Sequence, residues 1–218
     1  MPELVIVGAG GFSKQIAELT EELNRERPLW RLLGFLDDDP ALAETRVLGY
    51  PVLGPTAMAK SLEQAKIVIG VANVRHPQRR REIASRLALV AGRYASLSHP
   101  SASVSTRARI GEGSVALQNV VISHGAVLGM HALVSPGCVI SHEARLGDGV
   151  TLASSVVVSG GCQIGAAAYL GAGCLIREGV IVGEGAVVGM GAVVIQNVPA
   201  GATVFGCPAR EHSGAKRA

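Results

Sequence analysis

Aromatic side chains make up only 3% of this 218-residue chain, with 1 Trp, 3 Tyr and 3 Phe, although hydrophobic residues reach 48%. A core without rings must be assembled from Val, Ile, Leu and Ala, which suits a narrow, regular interior. Charge of one sign is scarce too: 20 Lys and Arg against 17 Asp and Glu leave +3. No basic stretch is interleaved with aromatics, so a nucleic-acid partner is not expected. No apolar run approaches the ~18 residues of a membrane span. Met1-Pro2-Glu3 lacks the basic and apolar regions of a secretory leader and runs into strand-like Leu4-Val5-Ile6-Val7. The 4 Cys show no metal or disulfide spacing, which points to reduced thiols and a cytoplasmic protein.

What the chain has in abundance is a period. Every sixth residue from Val104 through Ile110, Ala116, Ile122, Leu128 and onward to Val188 and Val194 is aliphatic or Ala, without a slip of register. Two residues before each stands a small or β-branched one, such as Ala126, Cys138, Ala144, Val150, Cys162, Ala168 or Ala186. A helix needs a period near 3.6 and a lone strand a period of 2, so six fits neither. It fits a coil that turns a corner every six residues and packs one aliphatic inward per side. With three sides per coil and strands stacked ~4.8 Å apart, the repeat makes roughly five coils and a prism about 25 Å long. Cys138, Cys162 and Cys174 fall on the small-residue position and read as buried packing, while Cys207 lies alone.

The first part of the chain has another rhythm. Leu4–Val7 reads as a strand, Ser13 to Asn24 as a helix, Leu32–Leu36 as a second strand and Ile67–Val71 as a third. Between them lie a turn-rich segment from Leu48 to Gly54 and a short helix near Thr56 to Ala65. An Arg-rich helix follows from Pro77 to Leu89, with Arg79-Arg80-Arg81 read as a solvated face. Alternating strands and helices of these lengths predict a small parallel sheet with helices against it. Gly8-Ala9-Gly10-Gly11, between strand and helix, suits either a phosphate loop or a tight turn.

Together these features resemble the hexapeptide-repeat acyltransferases, and within them the sialic acid O-acetyltransferase and bacillosamine-type UDP-4-amino-sugar N-acetyltransferase subfamily. The closing phrases Asn197-Val198-Pro199-Ala200-Gly201 and Gly206-Cys207-Pro208-Ala209-Arg210 resemble that superfamily's acetyl-CoA closing segment. The resemblance implies an α/β N-terminal Rossmann-like domain (residues 1–98), then an all-β left-handed parallel β-helix (99–210) and a frayed tail (211–218). The left hand comes from the family alone, since it opposes the usual crossover preference. Homotrimers, with each active site between neighbouring prisms, are implied as well. Val121, Val139, Val157 and Val193, on side positions that a lone prism exposes, agree with that.

His124 and His142 occupy the same place in the repeat one coil apart, at a corner whose side chains point outward. Acyl transfer needs a base for the incoming amine or hydroxyl, and an imidazole beside a carboxylate suits the role. Val139-Ile140-Ser141-His142-Glu143 resembles the subfamily's catalytic segment, which implies His142 as general base and Glu143 as the group that tunes it. The family's second histidine, nine residues on, is replaced by Thr151. In the same register the other acetyl-CoA contacts fall at Ala172 and Met190. Gly10, Gly11 and Phe12, with Asp37 and Asp38 ending the second strand and Ala72 and Asn73 ending the third, resemble the nucleotide-sugar pocket. Open parallel sheets bind ligands at that edge. His131, His76, His99 and His212 read as surface or capping residues.

The implied activity is acetyl transfer from acetyl-CoA, as cosubstrate, to the amino group of a UDP-linked 4-amino sugar, with no metal. An O-acetyltransferase acting on sialic acid or another glycan precursor is the alternative that Thr151 keeps open. A zinc enzyme of the carbonic anhydrase kind and a non-catalytic nucleotide-sugar sensor are further readings. The spacings among His124, His131 and His142 do not suit the zinc enzyme.

Overall fold

The computed structural model describes residues 1–212. Its N-terminal half comprises β1 (Glu3–Val7), α1 (Gly11–Leu23), β2 (Arg31–Leu36), β3 (Arg46–Val47), β4 (Tyr50–Gly54), β5 (Lys66–Ile69) and α2 (Arg79–Leu87). The sheet runs β3-β4-β2-β1-β5, parallel except for the β3–β4 pair. β1 is apolar at consecutive positions because both its faces are covered. Leu4 and Ile6 pack with Ile16 and Leu19 of α1, while Val5 and Val7 pack with Ile83 and Leu87 of α2.

Two local expectations change. The turn-rich Leu48–Gly54 segment is a hairpin whose second strand, β4, pairs parallel with β2. Leu48 and Gly49, at φ 49° and 81°, form the two-residue turn that a twisted hairpin needs. The helix expected over Thr56–Ala65 is only a 3-10 turn, Thr56–Lys60.

The second half is a parallel β-helix of short, mostly two-residue strands paired at an 18-residue interval, as in Val121↔Val139, Val127↔Arg145 and Leu133↔Thr151, until the last coil, where Val187↔Thr203 shortens it to 16. Its three flanks hold six, five and eight strands. Ile122, Ile140, Val158 and Ile176 point inward on one flank, Leu128, Leu146, Ile164 and Val182 on the next, all at most 3% exposed. The small residues two positions earlier, Ala126, Cys138, Ala144, Cys162, Ala168 and Ala186, are fully buried at the corners. Val104 and Ile110, 37% and 36% exposed, break the pattern because they sit on the end strands of their flanks, with no coil beneath. At the far end Arg210–Glu211 pairs antiparallel with Val204–Phe205, so Glu211 is held rather than frayed. The rest of the expected tail, residues 213–218, lies outside the described residues.

The halves meet through a shared core and a buried cation. Residues Arg93 and Ala95 hydrogen-bond along β5, and Leu97, Val115, Leu117 and Leu133 of the β-helix join the α1 face of the sheet. Against the expectation of a solvated arginine face, Arg80 is 1% exposed. Its guanidinium donates to Val71 O, His131 O and Gly149 O, each at 2.7 Å, to Thr151 Oγ1 at 2.9 Å and to Val150 O at 3.0 Å. Three consecutive residues fan out around a helix, and the inward stripe here is Arg80, Ile83 and Leu87. Arg79 points to solvent as expected, while Arg81 reaches across to Glu184 of the β-helix at 2.6 Å.

His131 is the second correction. Read as surface, it is 5% exposed, edge-on to Tyr94 at 4.4 Å, with Nδ1 lacking a hydrogen-bond partner. Burial, reinforced by the Arg80 charge, pushes its pKa down to about 4. The unfolded chain titrates near ~6.5, so between those values the folded state binds fewer protons and stability rises with pH. The contribution is intact above ~6.5 and is lost as pH falls towards the folded value, amounting to about 3 kcal/mol. Replacing His131 with Phe should therefore flatten the acid side of a Tm-against-pH curve. Parallel curves for the two proteins would refute it.

Candidate active site

His142 and Glu143 stand at the corner between the first and second flanks, with side chains 52% and 70% exposed. His142 Nδ1 lies 3.9 Å from Glu143 Oε2, within ion-pair range but too long for a hydrogen bond. Glu143 has φ 59°, in the left-handed region that these corners require. One coil away in either direction the same corner place is glycine, Gly125 and Gly161, so a lone carboxylate projects from a bare column. The stacking expected from the repeat is present: the His124 and His142 rings are 6.1 Å apart and 22° from parallel. On the other side the imidazole covers the backbone of Gly160, where a Cβ would stand 2.5 Å from Cε1 and 2.6 Å from Nε2. The ring is thus held between His124 and Gly160, with Nδ1 towards Glu143.

At the carboxyl edge of the N-terminal sheet, the ends of β1, β2 and β5 converge. Gly8, at φ 94°, donates from its N–H to Leu36 O at 2.7 Å, and Gly70 N–H donates to Val7 O at 2.8 Å. α1 begins at Gly10 with no side-chain cap and no acidic residue in its first turn, leaving its positive end open to an anion. Gly10 and Gly11 are exposed and Phe12 is half-buried. Asp37 accepts from Ala9 N–H at 2.8 Å and so braces the glycine loop. Asp38 accepts from Thr56 N–H and Oγ1, both at 2.8 Å, and from Arg86 at 3.1 Å. Despite the opposing cost of burial, these partners leave its carboxyl below the usual range. Ala72 and Asn73 are exposed at the same edge.

The three residues matched to acetyl-CoA contacts are not together with His142. Thr151 lies on the third flank, 7% exposed, its hydroxyl engaged by Arg80. Ala172 and Met190 are exposed, one coil apart, at the corner after that flank. Among the described residues no hydrogen bond, ion pair or ring contact joins the His142 corner to the N-terminal sheet. Nor does any group of three or more His, Cys, Asp or Glu suit a metal ion.

The PglD N-terminal domain family matches residues 3–87, and the bacterial transferase hexapeptide family (six repeats) matches residues 161–196. The acetyltransferase domain of PglB from Neisseria gonorrhoeae FA1090, solved with acetyl coenzyme A, is 33% identical with a TM-score of 0.86, over 97% of this chain and 99% of that one. The chain belongs to the hexapeptide-repeat acyltransferases with a PglD-type N-terminal domain. PerB from Caulobacter crescentus, solved with CoA and GDP-perosamine, is 27% identical with a TM-score of 0.86, over 98% of both chains. WeeI from Acinetobacter baumannii AYE is 28% identical with a TM-score of 0.81, over 96% of this chain and 99% of that one. Among curated proteins none matches.

For this PglD-type acyltransferase, sequence reasoning missed Gly160 as the seat of the imidazole. The signal was available, since Gly160 stands one 18-residue coil after His142, where a repeat stacks side chains. Replacing Gly160 with Ala should displace the ring without disturbing the β-helix, because its φ is not in the left-handed region. The expected result is an unchanged far-UV spectrum, shifted His142 ring resonances by NMR and acetyl transfer reduced at least tenfold. Unchanged His142 resonances would count against the contact.

Proposed function

We propose that this protein transfers acetyl from acetyl-CoA to the amino group of a nucleotide-linked sugar, a UDP-linked 4-amino sugar in the first instance. The observation that carries the reading is an exposed imidazole seated on Gly160 with its Nδ1 towards Glu143, on a chain whose other half opens an uncapped helix terminus to an anion. Relatives solved with acetyl coenzyme A, and with CoA and GDP-perosamine, support both substrates by their chemistry.

In this mechanism Nε2 of His142 takes the proton from the amine as nitrogen attacks the thioester carbonyl. The C–N bond forms, the C–S bond breaks, and the CoA thiolate leaves with the proton returned from the imidazolium. Glu143 stabilises that imidazolium while it exists. In this reading backbone amides beside the ring, with Gly160 N–H as the candidate, would stabilise the oxyanion. No acyl-enzyme is required. The buried thiols Cys138 and Cys174, pushed up to about 11 and about 12 by burial, are poor nucleophiles.

The separation of His142 from Ala172, Met190 and the sheet edge within one chain supports a site completed by a second copy. The first flank presents an outward ladder, Val121, Val139, Val157, Leu175 and Val193, with Val121 and Leu175 37% and 44% exposed. A closed homotrimer would cover that ladder and bring a neighbour's surface to each His142.

The test is thiol release from acetyl-CoA against UDP-, GDP- and dTDP-linked amino sugars and sialic acid. Turnover is expected with a nucleotide-linked amino sugar, and His142→Asn should lower kcat by roughly 10²–10⁴-fold while CoA still binds. Turnover only with sialic acid would replace the proposal with O-acetylation, and an undiminished His142→Asn enzyme would remove the base.

A further inference from the structure

We infer that Arg80 is a positioning residue, whose buried guanidinium fixes the Val71–Asn73 wall of the nucleotide edge to two successive coils of the β-helix. The ligand named for that edge rests on the proposed function. One nitrogen, Nη1, donates to Val71 O at 2.7 Å, the residue just before Ala72 and Asn73. Nε and Nη2 donate to His131 O, Gly149 O, Val150 O and Thr151 Oγ1, which belong to neighbouring coils. All of these acceptors are neutral, so the charge is not there to neutralise a buried carboxylate. A guanidinium spreads five donors over three separate nitrogens and so spans acceptors too far apart for the three donors of one ammonium nitrogen. The other polar links from α2 to the β-helix, from Gln78 and Arg81 to Glu184, lie on the exposed side of the junction.

Val71 also backs directly onto the glycine loop. Its Cγ2 lies 2.7 Å from where a Cβ on Gly8 would stand, and its N–H nitrogen 3.6 Å away. A shift of Val71 therefore moves both the Ala72–Asn73 wall and the floor of Gly8–Gly11. Arg80 touches neither the proposed sugar nor the thioester, and it acts only through these segments. Its effect should accordingly fall on the nucleotide and spare CoA, since Thr151, the one acceptor matched to a CoA contact, is only 7% exposed with its hydroxyl turned onto Arg80.

The experiment uses the full chain with Arg80→Met and Arg80→Lys. UDP, GDP and CoA affinities are measured by calorimetry, and amide hydrogen exchange is followed at Gly8, Gly70 and His76, whose N–H groups donate to Leu36 O, Val7 O and Asn73 O around the same edge. Arg80→Met should weaken nucleoside-diphosphate binding at least tenfold and speed exchange at those amides, with CoA affinity within twofold of the parent. Arg80→Lys should restore only a minor part of the loss. If Arg80→Met does not fold, Arg80→Lys carries the test, with a loss of the same sign. Equal losses for CoA and nucleotide, or unchanged exchange at Gly8, Gly70 and His76 in the folded variants, would overturn the role. Failure of the parent protein to bind UDP or GDP would instead strike the nucleotide reading, while the exchange measurement still decides Arg80.

Discussion

The structure depends on one packing constraint: an aliphatic side chain must meet its equivalent 18 residues away inside a prism too narrow for a ring. Leu152 on Leu170, or Ile140 on Val158, is the same contact repeated coil after coil. Repetition of this kind makes stability a sum of neighbour interfaces. It also fixes the corners, because any residue placed there stacks on the residue one coil above and below. The His142 corner inherits that property. His142 is held by what the repeat puts at its own place in adjacent coils, an imidazole on one side and bare backbone on the other.

The join between the halves obeys different physics. A shared apolar cluster contains Leu4, Ile6, Leu97, Val115 and Leu133, as a single core would. Beside it the flank and corners of the β-helix offer main-chain carbonyls that water cannot reach. Arg80 satisfies several of them at once, which spares their desolvation cost and explains a cation without a carboxylate. Burial lowers its pKa to about 9, so it stays charged at neutral pH, and the same burial keeps His131 neutral beside it.

The chemistry available to the molecule follows from which groups remain outside. Three of the four cysteines are consumed as corner packing, two of them donating to carbonyls, Cys138 to Ala153 O and Cys162 to Arg177 O. At the corner after the first flank the projecting groups include the His124 and His142 rings and the Glu143 carboxylate. The imidazole corner and the exposed Ala172–Met190 corner follow different flanks of the prism.

By itself the sequence determined the β-helix, because a six-residue period can be satisfied only by a coil with regular corners, and it placed His124 over His142 for the same reason. It also located β1, β2, β5 and the glycine loop, since fully buried strands between turn residues carry their signal locally. Tertiary structure alone decided the fate of Arg80, His131 and Thr151. Their surroundings come from segments about 50 to 70 residues away in the chain, and nothing adjacent to Arg79-Arg80-Arg81 announces a buried set of carbonyls. Polarity read along a chain predicts exposure only where no other segment arrives to supply hydrogen bonds. Where one does, a charged side chain becomes interior.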